Sequence, residues 1–410
     1  MRILKIFLIS FSLISSLAFA NENDSSAVSV NTLPFGFYSN SLGWVFGSFT
    51  SIKGYPQKNS FTKAGGIIST NGSKYVYLQA DEVQNPLFKR QFIRPDIFVG
   101  KLGDVKEYIG LPDANGIVPG SNSSREEQHL LLHGTDYWFE LNLKHLLPIG
   151  KGIEKDFDYV IDIRSREQIN EPVLNIGKVF FETKLIYRDM TLKNNFTRLK
   201  LVTSAIDFSL SNDNTNYIYF PTYGTYQKVS YIKQFNAFGC DVPADIWKAD
   251  FRCFYPIFDG INSFPTVIAF NFVTMDTPSW DEKFKGKYKR GKLFVGPTLG
   301  GTKYLRGYKD LRFHDRAMLY YSLELRKNLD WNPFNYYEWT RKIGIDVLQL
   351  ALFGDLGRVA PEWDFAEFHQ NMRYTYGLGL RAFMQGMVLR MDVGKSKENI
   401  MIQMFVENPF

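Results

Sequence analysis

The chain has little of what a metalloprotein or a soluble secreted enzyme is built from. Cysteine occurs twice in 410 residues, at Cys240 and Cys253, and histidine five times, at His129, His133, His145, His314 and His369. There is no CxxC pair and no Cys/His cluster, so no metal site is expected. The two cysteines could pair in an oxidising compartment. Cys253 falls in an apolar run and Cys240 near a turn, and their spacing leaves the bridge open. Neither a GxSxG elbow nor an HExxH motif occurs. Gly377-x-Gly379-x-x-Ala382 formally fits a dinucleotide fingerprint, but it sits within a strand-like alternation rather than at a strand-to-helix turn. A hydrolase drawing serine and histidine from separate strands is the residual catalytic reading. The expectation is a protein that is not an enzyme and takes no cofactor.

A dominant charge is also lacking. Lysine and arginine number 48 against 42 acidic residues, and removing Arg2 and Lys5 with a leader leaves 46 against 42. That near balance excludes the concentrated basic face of a nucleic-acid protein. Long hydrophobic runs are missing after the first twenty residues. There, Arg2 and Lys5 precede an apolar stretch from Ile6 to Leu17 and the small-x-small site Ala18-Phe19-Ala20. This pattern predicts a signal peptide over residues 1–20, the alternative being a retained anchor, for which the stretch is short. A mean hydropathy of −0.20 beside 16% aromatic residues is ordinary for a membrane barrel with a polar interior and aromatic girdles. An exported chain with no spanning helix points to the outer membrane.

What the sequence does have is alternation. From Arg316 to Arg326, Ala317, Leu319, Tyr321, Leu323 and Leu325 alternate with Arg316, Met318, Tyr320, Ser322, Glu324 and Arg326, a period of two with one apolar face. Arg373 to Ala382 repeats it, with Tyr374, Tyr376, Leu378 and Leu380 facing lipid, and so do Met387 to Val393 and Ile400 to Val406. Upstream, strands are predicted near 42–51, 61–70, 74–82, 92–101, 134–146, 177–190, 197–210, 223–238, 248–258, 265–275 and 290–298. With the four C-terminal ones above and a fifth through residues 353–357 this makes about 16, an even number suited to a closed bacterial barrel. Asn71-Gly72 predicts a two-residue hairpin turn on the periplasmic side. The charged segment 147–176 reads as an extracellular loop. Residues 102–132 are too long for a periplasmic turn and call for a missed hairpin or a small plug. Lys283, Lys285, Lys287 and Lys289 alternate; on a strand they would line a lumen favourable to anions, and otherwise they belong to a solvated turn.

Residues 300 to 308, GGTKYLRGY, carry a paired glycine, a spacer and Leu-Arg-Gly-Tyr. This stretch resembles the loop tip of BamA/TamA-type outer-membrane assembly and translocation barrels, the bacterial surface antigen family. Two further stretches agree: Glu324 in SLELR, and Asp355 in FGDLG, which matches the family's Phe-x-Asp-x-Gly strand. The resemblance implies that Gly300, Gly301, Leu305, Arg306, Gly307 and Tyr308 form an extracellular loop folded into the lumen, latched by Arg306 on Glu324 and Asp355. A guanidinium that loses bulk hydration needs carboxylate partners, which arginine can engage with two N–H groups at once. Asp213, Pro221, Thr222 and Gly224 also fall in register with a family stretch, although Thr215 replaces its arginine. No segment before Leu42 has room for the periplasmic POTRA modules of the well-studied members.

The expected fold is therefore all-β: a transmembrane antiparallel β-barrel of about 16 strands over residues 21–410, with residues 299–315 as an inward-folded extracellular loop. The resemblance implies insertion, translocation or remodelling of proteins or lipids at the outer membrane. Its partners would be outer-membrane lipid and, as clients, unfolded outer-membrane proteins or lipids, with a weak first-to-last seam as the site. Pro409 cannot donate to a closing ladder, and the terminal Phe410 resembles the recognition signal of many such barrels. A passive pore for small anionic solutes, with the same loop as constriction, is the alternative. An adhesive barrel acting through its loops is a third reading.

Overall fold

The computed structural model describes residues 28–410 apart from 40, 59, 82, 154–171, 217–219, 259–264, 342–343, 385–386 and 407–409. Residues 1–20, expected as a leader, and Pro409 lie outside that set. Among the described residues one antiparallel sheet holds every long strand. In chain order these are β1 (Ser29–Ser39), β2 (Gly43–Lys53), β3 (Phe61–Ser69), β4 (Lys74–Asp81), β5 (Gln91–Glu107), β6 (Leu130–Gly150), β7 (Lys178–Lys193) and β8 (Arg198–Asp213). They continue as β9 (Gly224–Gln234), β10 (Ala244–Phe258), β11 (Thr266–Asp276), β12 (Ala317–Leu329), β13 (Ile345–Ala360), β14 (Arg373–Met384), β15 (Met387–Lys395) and β16 (Ile400–Val406). Each pairs with its neighbours in sequence, Val83–Gln84 adding a two-residue spur on β5.

The expected count of sixteen is met by two compensating differences. The predicted strand at 290–298 is a loop: Lys292 O accepts from both Val295 N and Gly296 N in a turn, and only Thr298–Leu299 forms a short ladder, with Phe313–His314. Gly291, Gly296 and Pro297 interrupt the stretch, and its apolar side chains serve the inserted loop instead. The missed strand is β1. Pro34 and Gly36 both disfavour a strand interior, yet proline is tolerated on an edge strand, and β1 is an edge. It pairs with β2 from Ser29↔Lys53 to Ser39↔Gly43. Beside β16 it makes no ladder among the described residues, although the two strands approach each other. The barrel is nearly closed, with its seam there.

Alternation places the lipid face where the sequence predicted. Leu323 and Leu325 on β12, and Tyr374, Tyr376 and Leu378 on β14, are exposed, while Glu324, Arg326 and Arg381 are buried inside. On β1 and β2 both faces carry apolar residues. Leu33, Phe35 and Phe37 share the inner face with Val45 and Phe49, while Val30, Tyr38, Trp44 and Phe46 stand exposed on the outer face beside Thr32, Pro34, Ser48 and Thr50, with Thr32 and Thr50 joined by a 2.9 Å hydroxyl pair.

Antiparallel alternation corrects the assignment of ends. The Asn71-Gly72 turn, where Gly72 has φ 87° and its N–H bonds to Ser69 O, lies at the same end as the 277–316 loop, not opposite it. The 108–129 segment lies at that end too, which explains a length unsuited to a periplasmic turn. The flanks of 147–176 lie at the other end, with the start of β1 and the end of β16, and not on the side of the inserted loop. Cys240 and Cys253 are both free. The Phe410 ring does not extend β16 outward; it stacks on Phe254 and is covered by the Arg326 guanidinium.

Epitope tags inserted at Gly72 and at Gly116 should be reached by antibody from one side of the membrane and a tag at Leu87 only from the other. Labelling of the Gly72 and Leu87 tags from a common side would refute this topology.

Candidate functional site

The 277–316 loop enters the lumen by building its own apolar interior against the wall. Val295, Leu299, Leu305, Tyr308 and Phe313 are buried with Ile186, Ile232, Ile246, Val273, Met318 and Tyr320, which project inward from β7 and β9 to β12. At its base, Gly300 and Gly301 have φ of 110° and 95°. A Cβ on Gly300 would meet Lys309 O at 2.2 Å, so the paired glycine is a steric requirement. Gly301 N–H bonds to Tyr308 O, and Tyr308 N–H to Leu305 O, closing the tip.

The tip carries Arg306 to the wall, fully shielded from solvent. Its Nε and backbone N–H donate to Asp355 Oδ2 at 3.0 and 3.1 Å, and its Nη2 to Asp355 Oδ1 at 2.7 Å. Nη1 donates to Glu324 Oε1 and, at 3.3 Å, to Asp392 Oδ2. The guanidinium lies 3.6 Å above the Phe353 ring. Gly377 makes room for that ring, since a Cβ there would come within 2.6 Å of Phe353. Gly394 makes room for the loop backbone, its Cβ position being 2.9 Å from Arg306 O. Of the two glycines that mimicked a dinucleotide motif, Gly377 is thus clearance beneath a stacked arginine, and Gly379 makes room for Asp392, whose Oδ1 would lie 2.5 Å from its Cβ.

Several participants had no sequence motif. Glu324 also accepts from Arg326 Nε at 2.7 Å and from Arg381 Nη2 at 2.8 and 2.7 Å. Tyr320 and Ser322 hydroxyls donate to Asp355 Oδ1 at 3.1 and 2.9 Å. Arg390, 3.4 Å from Asp392, reaches back to Thr302 O at 2.8 Å. Four buried guanidiniums therefore share three carboxylates. The signal that could have found them is parity: Arg326, Arg381, Arg390 and Asp392 all fall on lumen-facing positions. Cross-strand register, which sets Arg381 opposite Arg390, is not visible in one strand at a time.

The lysines at 283–289 form no lumen strip. Lys283–Phe284 pairs with Lys287–Tyr288 as a small hairpin, and Lys285 and Gly286, both at positive φ, make its turn. Lys287 pairs with Asp241 at 2.9 Å and Lys289 with Glu282 at 2.6 Å, and the group lies at the exposed base of the loop. A turn destroys the common face that a continuous strand would have supplied. At the motif near β9, Thr215 replaces a charge pairing with a local one, its N–H and hydroxyl both bonding to Asp213 Oδ1.

A second buried arginine of the inserted loop, Arg312, ties the loops together above the tip. Arg312 donates from Nε and Nη2 to the two oxygens of Glu398 at 2.9 and 2.8 Å, and from Nη1 to Ser124 Oγ at 2.8 Å. His314 Nε2 bonds to Tyr108 O at 2.8 Å, and its backbone N–H to Gly120 O. Burial, with Arg312 adding to it, holds the His314 imidazole below its ordinary range.

With that geometry in view, the likenesses to known proteins are informative. A model described as the Omp85 superfamily domain matches residues 174–398, more than half of the chain. Among solved structures the chain is similar to BamA from Haemophilus ducreyi lacking POTRA domains 1–3, at 15% identity and a TM-score of 0.51, over 93% of this chain and 70% of that one. It is also similar to CdiB from Acinetobacter baumannii (12% identity, TM-score 0.51, 92% of this chain and 59% of that one). CdiB from Escherichia coli aligns at 11% identity with a TM-score of 0.57, over 94% of this chain and 62% of that one. No curated protein matches the chain.

Arg306→Ala should lower stability by about 3–5 kcal/mol, because it strands buried carboxylates. Arg306→Lys should recover only part, since an ammonium cannot make the paired contact with Asp355. Urea unfolding in micelles reads both, and a near-neutral Arg306→Ala would contradict the assignment. The cap should also respond to acid. An imidazole freed by opening has a pKa near the usual value of about 6.5, above that of buried His314. Stability of the cap is therefore full above that value and is lost as pH falls through the lowered one. Protease cleavage within 108–129 should rise on acidification in the native protein and stay flat in His314→Gln.

Proposed function

Because the chain belongs to the Omp85 superfamily, we propose that it assists the insertion, translocation or remodelling of polypeptides or lipids at the bacterial outer membrane. In this reading its working part is the β1–β16 seam, its partners are membrane lipid and unfolded client chains, and it carries out no catalysis. The observation that carries the reading is that β1 and β16 share no ladder among the described residues. Strands facing hydrocarbon must satisfy their backbone N–H and C=O groups, and two neighbouring strands left unladdered are a place where an incoming strand can pair. Pro34 on β1 adds a position without an N–H. The lumen offers less to a solute: loop side chains from Val295 to Phe313 occupy it, and Phe294 stacks near Trp138 with the Arg188 guanidinium 4.5 Å from its ring.

The purified barrel in liposomes should accelerate insertion of an unfolded outer-membrane barrel. Cysteines crosslinked between β1 and β16, in a Cys240→Ser, Cys253→Ser background, should abolish the acceleration, and reduction should restore it. Large, steady, anion-selective conductance in a planar bilayer without any acceleration would replace this reading with the passive pore.

A further inference from the structure

A hollow of about 530 Å³ opens on the outer wall at the loop end, lined by Tyr374, Tyr376, Lys395, Lys397, Asn399 and Ile400, with Ser396 and Glu398 completing it. Register places these side chains in rows. Tyr376 on β14 is opposite Lys395 on β15, which is opposite Ile400 on β16, and all three face outward. The next outward row toward the barrel middle is Leu378, Val393 and Ile402, and the one after it Leu380, Met391 and Met404. Successive rows lie about 7 Å apart. Lys395 therefore stands one row above a continuous apolar band, at the height where hydrocarbon gives way to headgroups, with Tyr374 and Lys397 beyond it.

The charges there are uncompensated. Lys395 and Lys397 are exposed, and neither forms an ion pair among the described residues. Of the two acids nearby, Glu398 is turned inward with both oxygens on Arg312, and Glu126, which reaches Asn399, is paired with Lys106 at 3.4 Å. Lys397 offers only its backbone N–H to the molecule, held by Tyr308 from inside. Two free ammonium groups above an apolar wall, flanked by two tyrosines suited to the interface, are what an anionic amphiphile would meet.

We propose that this hollow binds the phosphate headgroup of an anionic lipid in the leaflet at the loop end. Lys395 and Lys397 neutralise the phosphate, Tyr374 and Tyr376 contact the backbone that carries it, and the acyl chains lie along Leu378, Val393 and Ile402. The site goes beyond the seam reading and requires only that the barrel stands in a membrane. Because Ser396 Oγ donates to Gly307 O at 2.7 Å, the bound headgroup would sit on the outer side of the turn that holds the Arg306 tip.

Short-chain dihexanoyl phosphatidic acid, titrated calorimetrically into the full chain in a zwitterionic detergent, tests the assignment. It should bind, and dihexanoyl phosphatidylcholine should not. Lys395→Gln with Lys397→Gln should weaken binding by about twentyfold or more, at about fivefold per lysine, while Lys395→Arg with Lys397→Arg retains it. Lys74→Gln with Lys101→Gln removes an opposed pair of lysines elsewhere on the same wall and should leave binding unchanged. An equal loss in that control, no binding by the native chain, or inorganic phosphate binding as tightly as the lipid would each overturn the proposal.

Discussion

The arrangement depends on one electrostatic fact: a guanidinium removed from water is stable only where carboxylates meet it. Arg306 arrives on a loop of its own and finds Asp355 with two parallel N–H contacts, Glu324 alongside and Phe353 beneath. Everything nearby is shaped by that need. Gly377 and Gly394 clear space, Tyr320 and Ser322 orient Asp355, and Arg326 and Arg381 balance the charge that Glu324 brings. The apolar residues of the loop fill the lumen around the ion set, so the charges sit among packed side chains rather than in a water channel.

The wall is uneven around its circumference, and that unevenness follows the seam. From β12 to β15 the inner face carries the ion set and the outer face an unbroken apolar surface. Across β4 to β6 the inner face is aromatic, with Phe98 and Trp138 stacked at 5.5 Å. At β1 and β2 both faces are partly apolar, with Leu33, Phe35 and Phe49 inside and Tyr38, Trp44 and Phe46 outside. With no ladder to β16 among the described residues, β1 is the least constrained strand of the sheet. The best-secured element, the Arg306 tip, and the least secured, β1, thus lie on opposite sides of the last few strands.

Above the tip, Arg312 repeats the same logic at the loop end, joining the 300–315 loop to Glu398 and Ser124, with Tyr108 and Phe313 against its planar faces. Three separate loops meet on one buried cation. The chain therefore closes its loop end with side chains that are far apart in sequence, and with His314 placed where protonation works against closure.

Much of this was legible in the residue order. Alternation with a period of two marks most wall strands and the side that faces lipid, because side-chain direction in a strand is a local property. The central ion pair was named through the resemblance of the loop motif, with Glu324 and Asp355, to a known family; residue chemistry alone says only that a buried arginine needs acids, not which ones. What the order of residues did not decide was register, closure and sidedness. β1 was not among the predicted strands, and its Pro34 and Gly36, unfavourable in a strand interior, are tolerated because that strand is an edge. The run at 290–298 looked extended, but its apolar side chains are better buried in the lumen than in lipid. The lysines at 283–289 kept their spacing and lost their common face to a turn. Only the tertiary structure brought Arg326, Arg381, Arg390 and Asp392 to one carboxylate cluster, because cross-strand neighbours are chosen by pairing, and pairing is settled only when the whole sheet closes.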